Sequence, residues 1–271
     1  MKKLLAVAFC GLIAATAAQG KGASPKGMIM RGGLGFIFVD NNNFRNVSQF
    51  ASSHATALEA KYAQQNNSPT AGASLVWGNG TFGLGAYGQR AGTNLTGAGN
   101  YADSAGAGLA LAVIPDRLNV GANFSKVITT SSATNNGVAG AQFTLMGPHG
   151  CGFALGGGGT MVLGDTSGNN VQTGTVSLGY GFKPNVGVEA LITINDIKDT
   201  TNWAAGGYFN WGGDIVYLGA GYEYVKQSAN GQVVGRFGFE LGKYFDISAF
   251  GTYGLAPGSQ PFFGVSARVS L

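Results

Sequence analysis

Charged side chains are scarce in this chain: they make up 10% of its 271 residues, where a soluble domain carries about a quarter. A water-facing surface is normally covered by Lys, Glu, Arg and Asp, so a chain this poor in them is not built to present its whole exterior to water. Cysteine is almost missing, with only Cys10 and Cys151, and histidine is limited to His54 and His149. Beyond Ala15 no apolar run reaches the roughly eighteen residues that a membrane-spanning helix needs. These absences argue against a disulfide-stapled domain, a zinc site built on Cys and His spacing, and a helical membrane protein.

The first residues have the form of an export signal. Met1, Lys2 and Lys3 are followed by an apolar stretch from Leu4 to Ala15 and by small residues that include Ala15-Thr16-Ala17. The apolar core is too short for a permanent span, so residues 1–20 are expected to be a cleaved signal peptide and 21–271 the mature domain. Cys10 follows the bulky Phe9, which disfavours lipidation. The net charge of +4 includes Lys2 and Lys3; without them the chain is only slightly basic, and no run of Lys and Arg points to a nucleic-acid partner.

From about residue 28 the apolar residues recur with a period of two, the signature of strands. Phe263, Val265, Ala267, Val269 and Leu271 share one face, and Gly264, Ser266, Arg268 and Ser270 the other. The same alternation sets Leu118, Val120, Ala122 and Phe124 against Asn119, Gly121, Asn123 and Ser125. It also sets Val186, Val188, Ala190, Ile192 and Ile194 against Gly187, Glu189, Thr193 and Asn195, with Leu191 as an apolar residue on the polar face.

Tight connections alternate with longer ones. The tight set is Gly78-Asn79-Gly80, Pro115-Asp116-Arg117, Pro148-His149-Gly150, Lys183-Pro184-Asn185, Gly212-Gly213-Asp214 and Lys243-Tyr244-Phe245, mostly hairpin-turn residues. The longer set spans roughly 40–69, 88–101, 131–138, 164–172, 196–202, 227–232 and 256–260. Together they predict an all-β, closed antiparallel transmembrane β-barrel of about fourteen strands, with twelve or sixteen as alternatives. The stretch from Ser48 to Gln65 has two readings. It is a helix with Phe50, His54 and Leu58 on one side, folded into the mouth, or it is two additional strands, because Leu58, Ala60 and Tyr62 alternate with Glu59 and Lys61.

In strand number and length the chain resembles the outer-membrane β-barrel porins, and in particular the small monomeric fourteen-stranded ones. The resemblance covers nearly all of residues 21–271. It implies the outer membrane of a Gram-negative-type cell, with short turns and both termini periplasmic and long loops outside. Such barrels usually end in an aromatic residue, whereas this chain ends in Leu271.

The polar face separates a lipid-facing barrel from a soluble sandwich, since it is mainly Gly, Ser, Thr, Asn and Ala rather than Lys, Glu and Arg. Aromatics cluster near the connections: Trp77, Phe82, Phe182 and Trp211 by the tight ones, and Phe38, Tyr101, Trp203, Tyr224 and Tyr253 by the long ones. Two interfacial girdles account for that placement. Glycine contributes 48 residues, including Gly156 to Gly159. A closed barrel tolerates them because every backbone group stays paired.

No catalytic constellation is legible. His54 falls in the first long loop and His149 in a tight turn, at opposite ends of a barrel. Asp196-Ile197-Lys198-Asp199 reads as a solvated loop rather than a calcium site, and Gly33-Leu34-Gly35 precedes no helix, so it is not a nucleotide fingerprint. No enzyme activity and no cofactor are expected. Six charges fall on the polar faces and are expected to line the lumen: Arg31, Glu189, Glu223, Arg236, Glu240 and Arg268. Glu223 is expected opposite Arg236, and Glu240 two strands from Arg268 at a similar height. These groups either brace the wall or bias ion passage. Fourteen strands enclose a backbone diameter of roughly 28 Å. The function implied is passive passage of small hydrophilic solutes and ions, with outer-membrane lipids around the barrel. The rivals are a structural or surface-display barrel closed by its loops, and an importer of apolar molecules.

Overall fold

The computed structural model describes residues 47–271 apart from 53–55, 66–67, 94, 96–100, 116, 130–136, 148–151, 164–171, 184–185, 199–200, 214, 228 and 243. It begins with a 3-10 helix, η1 (Val47–Ser52), followed by fourteen strands. These are β1 (Thr56–Gln65), β2 (Ser68–Gly78), β3 (Phe82–Gly92), β4 (Tyr101–Ile114), β5 (Leu118–Thr129), β6 (Gly137–Met146) and β7 (Gly152–Leu163). The ring continues through β8 (Gln172–Lys183), β9 (Val186–Ile194), β10 (Trp203–Gly212), β11 (Val216–Val225), β12 (Asn230–Leu241), β13 (Phe245–Gly254) and β14 (Phe262–Ser270).

Every strand pairs antiparallel with its neighbours in sequence, and β1 pairs with β14 to close the barrel. Closure removes sheet edges, so no row of backbone N–H and C=O groups is left to face lipid. The strand count agrees with the sequence, but the first strand does not lie where the alternation from residue 28 placed it. Those residues, Arg31 and Phe38 among them, are outside the described ones. The stretch 40–69, expected to be one long connection, contains η1 and all of β1, and only residues 66–67 separate β1 from β2. The helical reading of Ser48 to Gln65 holds only as far as Ser52, within η1, and is corrected from Thr56 onward, where Leu58 and Tyr62 are exposed while Glu59 between them is buried, the period of a strand.

The alternation sorts side chains into two environments. Outward positions carry Leu109, Val176, Phe182, Ile192 and Val265, each more than half exposed, and the exterior is apolar around the ring. Only lipid makes such an exterior favourable, at about 25 cal/mol per Å² of apolar surface kept from water. Aromatics gather at its two rims. Phe153, Tyr180 and Phe182 meet edge-to-face at 5.0 and 5.1 Å near the short turns, and Trp203 packs on Tyr224 at 5.8 Å near the long connections. The short turns rely on residues with left-handed backbone: Gly80 (φ 85°) and Gly242 (φ 73°) take conformations that a side chain would strain. The Asn79 carboxamide accepts from the N–H groups of Thr81 and Phe82, which fixes the β2–β3 turn.

Candidate functional site

Inward-facing side chains differ sharply between the two halves of the barrel. Toward the short turns they are buried: Ser74, Asn119, Thr144, Ser177, Asn210, Ser248 and Arg268 all belong to this half. Toward the long connections they line a cavity of about 420 Å³.

Two structures fill the wall of the short-turn half. On one arc, η1 lies against the inner faces of β2 to β6. Val47, Phe50 and Ala51 are buried there with Val76, Ala110 and Ala112, and Tyr87 packs on this cluster. The Ser48 hydroxyl meets that of Thr144 at 2.9 Å. Glycine makes the approach feasible. A Cβ on Gly83 would collide with the Phe50 backbone, one on Gly108 would stand 2.6 Å from a Val47 methyl, and one on Gly121 would stand 2.7 Å from the Ser48 nitrogen. Close approach of backbone to backbone is a use of strand glycine beyond keeping a wall thin.

On the other arc, β11 to β14 and β1 carry an ionic network. The Arg268 guanidinium donates to Asp246 Oδ2 at 2.7 Å, and the Tyr217 hydroxyl donates to Asp246 Oδ1 at 2.9 Å. Arg236 lies 3.6 Å from Glu59 Oε1, donates to the Ser248 hydroxyl at 3.0 Å and to the Ser266 hydroxyl at 3.2 Å, and stacks 5.9 Å over the Tyr217 ring. Removing charges from water is unfavourable, and these ions are held by pairing. The Ser248 and Ser266 hydroxyls accept further bonds from Arg236, whereas the buried Arg268 Nε has no hydrogen-bond partner.

Of the six charges read from the sequence, Arg31 lies outside the described residues. Arg236 and Arg268 are buried in the network, Glu189 is buried on β9, and Glu240 is partly buried on β12 opposite Asp246. Because Asp246 in turn faces Arg268, Glu240 and Arg268 do stand two strands apart at one height. The residue between them is Asp246, not Ser248, which pairs with Gly238 and Ser266.

The pairing of Glu223 with Arg236 is corrected. Glu223 stands opposite Gln232, and Arg236 opposite Gly219. The β11–β12 connection is residues 226–229 rather than 227–232, and shifting its centre slides every pair across the hairpin. Sequence reasoning missed Glu59, Asp246 and Tyr217. Glu59 and Asp246 carried a legible signal, an isolated carboxylate at an inward position of a strand poor in charge.

The cavity in the loop half is chemically different. Tyr208 donates to Glu223 Oε1 at 2.6 Å, and Gln232 Nε2 donates to the other oxygen. Gln142 Nε2 donates to Asn123 Oδ1 at 2.9 Å, while the buried Gln142 Oε1 has no hydrogen-bond partner. Threonine hydroxyls meet across strands, Thr160 with Thr173 and Thr175 with Thr193. Near the rim Arg90 forms a two-pronged pair with Asp103 at 2.7 and 2.8 Å and reaches the Leu95 carbonyl.

His54, His149 and Cys151 lie outside the described residues. In the 195–202 connection the Asp196 carboxylate accepts from the Lys198 N–H at 2.9 Å, an ordinary local turn. Among the described residues no group of three or more His, Cys, Asp or Glu side chains is placed to hold a metal ion.

No protein-family model matches the chain, and no curated protein matches it. Among solved structures it is similar to a mutant form of the Rhodopseudomonas blastica porin, with 10% identity, a TM-score of 0.49, and coverage of 80% of this chain and 99% of that one. It is also similar to the KdgM porin, with 8% identity, a TM-score of 0.47, and coverage of 79% of this chain and 99% of that one. A further match is the KdgM porin in complex with disordered oligogalacturonate, at 8% identity, a TM-score of 0.46 and the same coverage.

Proposed function

We propose that this chain is an outer-membrane pore through which small hydrophilic solutes and ions diffuse passively, reached by export under a cleaved signal peptide spanning residues 1–20. The observation that carries the reading is the pairing of an apolar exterior, closed on itself by β1 and β14, with an inner wall that encloses a polar cavity. A barrel of this girth offers passage without an energy source, and selectivity falls to the charges and side chains at its narrow parts. Outer-membrane lipids are the partner of the exterior, and the barrel works as a channel rather than an enzyme. The tight turns face the periplasm and the long connections the outside.

Within this reading three of the polar-face charges take different parts. Glu223 borders the solute path, whereas Arg236 and Arg268, buried and paired, brace the wall. The second reading, a scaffold barrel with no transport, is favoured by the burial of the short-turn half and by η1 against its wall. Planar-bilayer conductance decides between them. Discrete ion-conducting steps are expected from the purified protein, and a heat-modifiable barrel that never conducts would establish the scaffold.

A further inference from the structure

We propose that the cavity in the loop half is a binding site for a neutral, hydroxyl-rich solute of mono- or disaccharide size. The inference rests on the proposed pore only for the route by which the solute arrives. At about 420 Å³ the cavity falls in the range of small-molecule sites. Among the described residues that line it, Glu223 is the one carboxylate and none is Lys or Arg. Both Glu223 oxygens already accept hydrogen bonds, from Tyr208 and Gln232. An anionic solute would therefore find a carboxylate and no counter-charge.

What the wall offers instead is hydroxyl and carboxamide chemistry. Thr160, Thr173, Thr175 and Thr193 form a patch of hydroxyls on β7, β8 and β9; they are bonded in two pairs, and each pair keeps one free O–H donor and free acceptor lone pairs for a solute. Beside it, Gln142 lines the cavity and positions the Asn123 carboxamide through its Nε2 donor.

An aromatic face completes the site. Tyr87 on β3 and Tyr208 on β10 stand seven strands apart in a ring of fourteen, hence on opposite walls, and both line this cavity. Each ring lies against glycine. A Cβ on Gly106 would collide with the Tyr87 ring, and one on Gly221 with the Tyr208 ring. Glycine lets both tyrosines lie along the wall and leaves the lumen free between them. Tyr208 is 4% exposed and holds Glu223 in place through its hydroxyl, so the ring open to a solute is that of the half-buried Tyr87, whose negative face attracts the C–H face of a sugar ring.

The probe is sucrose, compared with an acidic disaccharide of similar size. In a planar bilayer sucrose should reduce the ion current saturably, at concentrations at least about tenfold below those the acidic sugar requires. The variant T175V/T193V keeps side-chain shape, and heat modifiability checks that it folds. It should weaken sucrose binding about tenfold, as the loss of one or two hydrogen bonds implies. Titration calorimetry in detergent measures the same affinities without conduction. A barrel that binds sucrose but conducts nothing would overturn the pore and leave this site standing. Three results would overturn the site: no saturation and no heat of binding, acidic sugar binding as tightly as sucrose, or an unchanged affinity in T175V/T193V.

Discussion

Two arginine–aspartate pairs in this barrel have the same closest spacing, 2.7 Å, and very different surroundings. Arg90 and Asp103 stand at the loop end with about a third of each side chain exposed; Arg268 and Asp246 stand at the short-turn end with 6% exposed. Geometry favours the outer pair, which is two-pronged. Environment decides otherwise. Water and salt screen the outer pair to about 0–1 kcal/mol, whereas the inner pair cannot lose one member without stranding the other in a dry wall. A short distance is therefore no measure of what an ion pair does.

The sharpest break of this comparison is Arg268→Leu, which leaves Asp246 with only the Tyr217 hydroxyl. We expect a loss of about 3–5 kcal/mol, read as a lower urea midpoint for the barrel in lipid vesicles. Replacing both members, as R268L/D246L, should recover much of that loss, because a well-packed apolar pair is often as stable as a buried ionic one. A double variant as unstable as the single one would place the contribution in Arg268 itself.

The opposite arc supplies the next test. Gly121→Val drives a side chain into the Ser48 backbone and should cost about 1–3 kcal/mol by overpacking, or release η1 to proteolysis near Val47. Full stability with η1 still protected would mean that the seat is loose. The smallest effect belongs to Asp103→Asn. It should change the urea midpoint by less than about 1 kcal/mol and only at low salt, so a larger change would erase the contrast between the two ends.

The alternation that placed Phe263, Val265 and Val269 on one face is legible because a strand facing lipid on one side and the lumen on the other has a strict period of two. Turn residues located six hairpins to within a few positions. Register was less accessible. Glu223 paired on paper with Arg236 because the β11–β12 connection was centred too late, and a small displacement of a turn moves every partner across its hairpin. The first strand was misplaced for a related reason. Leu58, Ala60 and Tyr62 alternate as well as any strand, but local sequence carries no information about which segment closes a ring on Ala267 and Val265. The seat of η1 was not legible at all, since a glycine that clears space for a neighbour reads the same as one that thins a wall.

Thirteen of the fourteen strand pairings join consecutive segments, and the fourteenth joins Ala57 to Ser270 across almost the whole described chain. The barrel is thus a run of local hairpins with a single distant seam. Local hairpins can form quickly, while the seam is the most costly single closure, since closure entropy grows, though slowly, with loop length. Until β14 has arrived, β1 has an open flank, and any partly inserted form is a ribbon with two adhesive margins. Time spent as that ribbon, rather than the strength of any contact in the finished barrel, sets the exposure of this protein to misassembly. Substitutions in β1 and β14 that leave the completed barrel equally stable are therefore the ones that would lower its yield.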